Sequence, residues 1–274
     1  MPCRPPDDAE RREGQHRAAS GAPRNRRPGW IGRIGRIGTW PAVALTVAVL
    51  VAANLVMHRW TGLSVLSGLS DLSGLVTAVV VSALLLGVLR WAGGTRADAG
   101  LAPGTLARGT RWALVLIALV AAVYLVGALL PATRTLFEDR RYDGMSGSEL
   151  TLRVLVLVPV GTVLVEEIAF RGVLYGLVLR ARGALWATTV SSLLFGLWHV
   201  LPSLHLATAK PALTAVFGDS ALGGVLAVVA AVLFTAAAGV LFCELRRRSG
   251  SLLAPMGLHW AVNAFGYVAG FLLR

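Results

Sequence analysis

Two adjacent glutamates, Glu166 and Glu167, sit with Arg171 between the apolar runs 154–164 and 173–179. A charge at membrane depth costs at least about 3 kcal/mol, so such a trio must be paired or in use. Residues on an α-helix advance about 100° each. Glu167 and Arg171, at i and i+4, then lie about 40° apart and suit an ion pair. Glu166 lies roughly 140° from Arg171 and faces elsewhere. Further along, Phe195 and His199 share an i, i+4 face, and so do His259 and Asn263.

The chemistry open to such a set is water activation. A carboxylate in a low dielectric is a better proton acceptor and can serve as a general base. A histidine on a neighbouring helix can hold the same water, and His259 with Asn263 can donate hydrogen bonds to a developing oxyanion. Together they would hydrolyse a carbonyl, a peptide bond first of all. Zinc is the competing reading, with Glu166, His199 and His259 as ligands. However, the segment reads Glu-Glu-Ile-Ala-Phe-Arg and lacks a histidine pair, and asparagine is a poor zinc ligand. Structural readings compete as well: an ion-pair knot at Glu166, Glu167 and Arg171, a core or interfacial His199, and interhelical hydrogen bonding by His259 and Asn263. Trp198 and Trp260 read as packing residues. Four polar elements at compatible depth are expensive to keep for packing alone, and that conjunction favours chemistry.

The elements that must position these residues are membrane helices. Hydrophobic residues make up 55% of the chain, charged ones 15%, and the mean hydropathy is +0.68. A soluble domain needs more polar surface than that, so the expected fold is an all-α polytopic transmembrane bundle. The net charge of +12 lies outside the apolar segments, which argues for a membrane-orientation signal and against nucleic acid as a partner. Spans are expected at about 40–57, 72–91, 112–130, from 152, 185–201, 222–243 and 252–273, near the ~20 residues a bilayer helix needs. That makes about seven, with eight possible if the long fourth segment is broken or re-entrant. Residues 63–75 read as a polar linker.

Residues 1–38, with nine arginines and four acids, read as a disordered basic tail. No cleavable signal peptide is expected, because the tail is long and the run after it is long enough to span. Residues 39–151 form accessory helices and 152–274 a four-helix catalytic core. Arginines concentrate in the tail, between spans two and three, after span four and after span six. All these fall on one side if the N-terminus is cytoplasmic. A composition rich in Ala, Val, Leu, Arg and Gly, with the single lysine Lys210, suggests a bacterial plasma membrane. Treating segments four and five as a hairpin turning at Gly183 puts Glu166 and His199 both roughly 25 Å from the turn, and so at one level. His259 and Asn263 come out several ångströms shallower by the same counting.

The polar segments resemble those of the CAAX protease and bacteriocin-processing family. Glu166-Glu167-Ile168-Ala169-Phe170-Arg171 is similar to its EExxxR motif, Phe195–His199 to its FxxxH motif and His259–Asn263 to its HxxxN motif. The resemblance, over about 152–271, implies an intramembrane endopeptidase like those that trim prenylated CAAX proteins. It implies Glu166 and His199 as the water-activating pair, Glu167 and Arg171 as supporting residues, and His259 and Asn263 as the oxyanion pair. The family is often labelled metalloprotease, but no cofactor is expected here, zinc being the alternative. Bacteria generally lack CAAX prenylation, so the expected partner is some membrane-associated peptide or protein in the bilayer. The competing functions are a non-catalytic peptide-binding or immunity protein and an ion-coupled transporter. The latter would show repeated halves, and none is found.

Overall fold

The computed structural model describes residues 36–62, 67–137, 139–204 and 206–273. Most of the expected basic tail therefore lies outside the described residues. Those described are mostly helical, joined by turns and irregular connections, with no strand among them. Helix α1 is Thr39–Gly62, α2 Ser67–Trp91 and α3 Leu106–Leu129. Next come four contiguous pieces: α4 (Gly147–Leu152), π1 (Arg153–Leu164), π2 (Glu167–Leu174) and α5 (Tyr175–Arg182). Helices α6 (Ala184–Trp198), α7 (Ala221–Ser249) and α8 (Leu253–Leu272) follow, with shorter helical pieces at Pro131–Arg134, Leu206–Ala209 and Pro211–Phe217 in the connections.

Four helical stretches are long and apolar enough to cross a membrane: Thr39–His58, Asp71–Trp91, Pro103–Leu129 and Ala221–Ser249. Of the seven expected crossings, length and apolarity alone vouch for these four. Helix α6 is apolar but only 15 residues long. Helix α8 has 20 residues but is interrupted by His259 and Asn263. One expectation is corrected. Within 63–75, the residues from Ser67 onward belong to α2 rather than to a linker. Serine and glycine each cost about 1 kcal/mol or less in a helix, which the apolar run that follows outweighs.

The fourth segment stays helical from Gly147 to Arg182 and does not break at Arg171–Gly172. Much of it has π geometry, whose i→i+5 bonding widens the turn. Pro159 sits inside π1, where its missing N–H takes one donor from the α pattern. Every residue of π2 is buried, because α1, α2, α5 and α6 all pack on it. The turn from α5 into α6 is made by Gly183 at φ +83°, a left-handed conformation open to glycine. Helix α6 then lies against α7 so closely that a Cβ on Gly196 would stand 2.7 Å from the Val232 carbonyl oxygen. Small residues allow this kind of approach in membranes.

The connections sort to two ends. At one end, the Arg182 guanidinium lies over Trp40 at the start of α1. There too Arg180 donates to the Ala92 carbonyl, Arg246 to those of Ala97 and Asp98, and Arg108 to that of Ser249. The basic connections thus meet one another, as their expected common side requires. At the other end, Asp139 binds Arg141 and, at 3.1 Å, Lys210, which joins the connection after α3 to the one before α7. Burial would raise the Asp139 carboxyl, but the hydrogen bonds and charge of Arg141, with the charge of Lys210, hold it below its ordinary value. The stability this gives is fully present above the unfolded carboxyl's pKa of 3.8 and is lost as pH falls below that through the folded value. Hydrogen-exchange protection in the connection carrying Asp139, relative to the intrinsic rate at each pH, is therefore expected to fall on acidification below that point, and Asp139→Asn to abolish the pH dependence.

Candidate active site

Glu166 and Val165 are the two α-helical residues between π1 and π2. The widened turns on either side leave the two adjacent carboxylates close to the same neighbours. Glu166 is 6% exposed and Glu167 fully buried. The Glu167 Oε1 takes two donors: Arg171 Nη1 at 3.1 Å and His259 Nδ1 at 2.9 Å. A carboxylate beside an arginine only accepts, so Nδ1 of His259 carries the hydrogen. His259 Nε2 then points at Glu166 Oε2, 3.7 Å away. One imidazole thus spans both carboxylates.

Glu166 is held at its other oxygen, where Trp198 Nε1–H donates to Oε1 at 3.0 Å. Its Oε2 is buried and accepts no hydrogen bond from the described protein groups. His199 Nε2 is 4.0 Å from that same Oε2. His199 ends α6 with φ −84°, ψ 1°, the bridge conformation found at many active-site residues. Its Nδ1 is 2.8 Å from the Phe195 carbonyl, which can only accept, so the neutral ring presents Nε2 as an acceptor. Rings fix these groups laterally. Phe195 meets His199 edge-on at 4.6 Å, and Phe242 stacks on His259 at 5.3 Å. The Arg171 guanidinium lies 3.9 Å from the centre of Phe195 and 4.7 Å from that of Phe242, an attractive arrangement for a desolvated cation.

Five of the six expected site residues therefore converge: Glu166, Glu167, Arg171, His199 and His259. The several-ångström difference in level for His259 does not persist. Asn263 is half-buried one turn along α8 and makes no side-chain hydrogen bond among the described residues. Three contacts were not foreseen. Glu167 orients His259 as well as pairing with Arg171. Trp198, expected to pack, donates to Glu166; a buried indole N–H requires an acceptor, and that was the available signal. Asn54 of α1 donates to the Trp198 carbonyl at 2.9 Å; its signal was a lone amide in an apolar helix. Trp260 packs as expected, its N–H on the Val154 carbonyl.

Residues 148–265 match the family model described as type II CAAX prenyl endopeptidase, Rce1-like. The Rce1-like segment covers less than half of the chain and contains all six residues above. The matched family is one of CAAX-type proteases, and the four long apolar helices have the length and composition of membrane spans. No curated protein and no solved structure matches the chain.

The family label also raises a metal. Among the described residues no three His, Cys, Asp or Glu side chains are grouped so that they could hold an ion. Glu166, His199 and His259 are not such a group.

Proposed function

We propose that the protein is an intramembrane endopeptidase that hydrolyses a peptide bond of a membrane-associated peptide or protein, using water activated by Glu166 and His199 without a metal. The observation that carries this is the pair of acceptors, Glu166 Oε2 and His199 Nε2, facing each other at 4.0 Å. Two acceptors at that separation both lie within about 2.8 Å of one molecule that donates to each. Water is the smallest such donor.

The reaction then runs as follows. Glu166 takes a proton from the water as its oxygen bonds to the scissile carbonyl carbon, while His199 holds the second O–H. The carbonyl π electrons move onto oxygen, where Asn263 Nδ2 and, in its imidazolium form, His259 Nε2 donate to the oxyanion. The two carboxylates with one guanidinium accommodate that second positive charge. On collapse the C–N bond breaks, and the proton held by Glu166 passes to the leaving nitrogen. Glu167 and Arg171 orient His259.

The same reading takes residues 39–151 as accessory and 152–274 as catalytic. It has about seven crossings with the N-terminus cytoplasmic, in a bacterial plasma membrane. The all-helical architecture, the meeting of the basic connections at one end and the Rce1-like segment support it.

The test is cleavage of a fluorogenic membrane-peptide library by the purified protein. Wild type is expected to cleave, and His199→Ala to be slower by about 10²–10⁴-fold. Exhaustive chelation should leave the wild-type rate unchanged. Activity lost on chelation and restored by zinc would sink the metal-free mechanism. Binding without cleavage by the wild type would make this a peptide-binding protein instead.

A further inference from the structure

The geometry points to Asn54, on accessory helix α1 and outside the Rce1-like segment, as a positioning residue for the candidate catalytic glutamate. It acts through the chain Asn54–Trp198–Glu166. This rests on the protease reading only for its effect on rate; the chain of contacts stands without it.

The last four carbonyls of any α-helix lack intrahelical donors. At the end of α6 one of these belongs to Trp198, and it accepts from Asn54 Nδ2 at 2.9 Å. A carbonyl can only accept, so this contact also sets which way the amide faces. The residue so anchored carries the indole that donates to Glu166 Oε1 at 3.0 Å. The next residue is His199, in its bridge conformation. One amide on α1 therefore tethers the point where both the donor to Glu166 and the partner of Glu166 leave the helix. Its surroundings on the α1–α6 face, Val47, Leu50, Leu194 and Leu197, are apolar. Nothing there replaces its hydrogen bond. An amide in an apolar helix is costly, so its retention calls for a use, and this contact supplies one. Without Asn54 the Trp198 carbonyl loses its donor and the end of α6 can shift. Displacement of a reacting group by about 1 Å costs on the order of 10²-fold in rate, so a partial shift costs less.

The experiment compares wild type, Asn54→Leu, Asn54→Asp and Asn54→Gln. The leucine variant removes the donor at similar size, the aspartate places a carboxylate against the carbonyl, and the glutamine restores a donor. Each protein is labelled with 5-fluorotryptophan. The Trp198 resonance among the eight tryptophans is assigned with Trp198→Phe. Asn54→Leu and Asn54→Asp are expected to shift that resonance, and so is Glu166→Gln. They should also lower kcat about 10-fold with KM within a factor of two, and Asn54→Gln should recover part of both. An unmoved resonance, or a lowered melting temperature with unchanged kcat for the folded fraction, would overturn the positioning role. If the wild type cleaves nothing while the resonance shifts as expected, the protease reading falls and the chain of contacts stands.

Discussion

Glu166→Gln is expected to abolish cleavage while leaving the protein at least as stable as wild type. The amide is nearly the same shape, and its oxygen still accepts from Trp198 Nε1. What it lacks is the capacity to take a proton from water, and general-base catalysis is worth about 10²–10⁴-fold. Stability is not expected to fall, because the amide removes a charge from a position only 6% exposed, where a carboxylate is costly to bury. A thermal melt beside the peptide assay reads both effects. A variant that is inactive but melts lower would mean that Glu166 holds the fold. An active variant would remove Glu166 from the chemistry.

Arg171 should behave in the opposite way. It is fully buried, bonded to Glu167 at 3.1 Å and enclosed by the rings of Phe195 and Phe242. Arg171→Met leaves the Glu167 carboxylate buried with only His259 as partner. Removing one member of a buried pair costs about 3–5 kcal/mol, which for a domain of this size is roughly 6–20 °C in melting temperature. Glu167→Gln combined with Arg171→Met should recover most of that loss, since replacing both partners is near neutral. The double variant is nevertheless expected to be inactive, because the amide oxygen at 167 can still accept from His259 Nδ1 but carries no charge to offset the imidazolium that the oxyanion requires. A single variant as stable as wild type would refute the structural role of the pair.

The convergence of Glu166 with His199 was legible because a hairpin about Gly183 gives two residues comparable depth, and depth follows from counting. The pairing of Glu167 with Arg171 was legible because i and i+4 share a face in α and π geometry alike. The bond from Glu167 to His259 was not, since it depends on how α8 is rotated and tilted, which no spacing along α8 encodes. The π geometry was hidden for a related reason. It is imposed by the packing of α1, α2 and α6 around residues 167–174, and Pro159 alone reads only as a kink. Asn54 escaped notice because its partner is a backbone carbonyl, and a carbonyl carries no residue-type signature. The long apolar helices were plain. The interrupted ones, α8 and the segment through π1 and π2, were less so because the residues that build the site are those that dilute the apolar signal.

The bond between Glu167 and His259 closes over 92 residues of chain. A ribosome adding about 5–20 residues per second needs roughly 5–20 s to cover that distance. During that interval the glutamates and Arg171 exist in the nascent chain while the imidazole that joins them does not. The buried Glu167–Arg171 pair spends that interval without its third partner, so α8 completes its hydrogen bonding last.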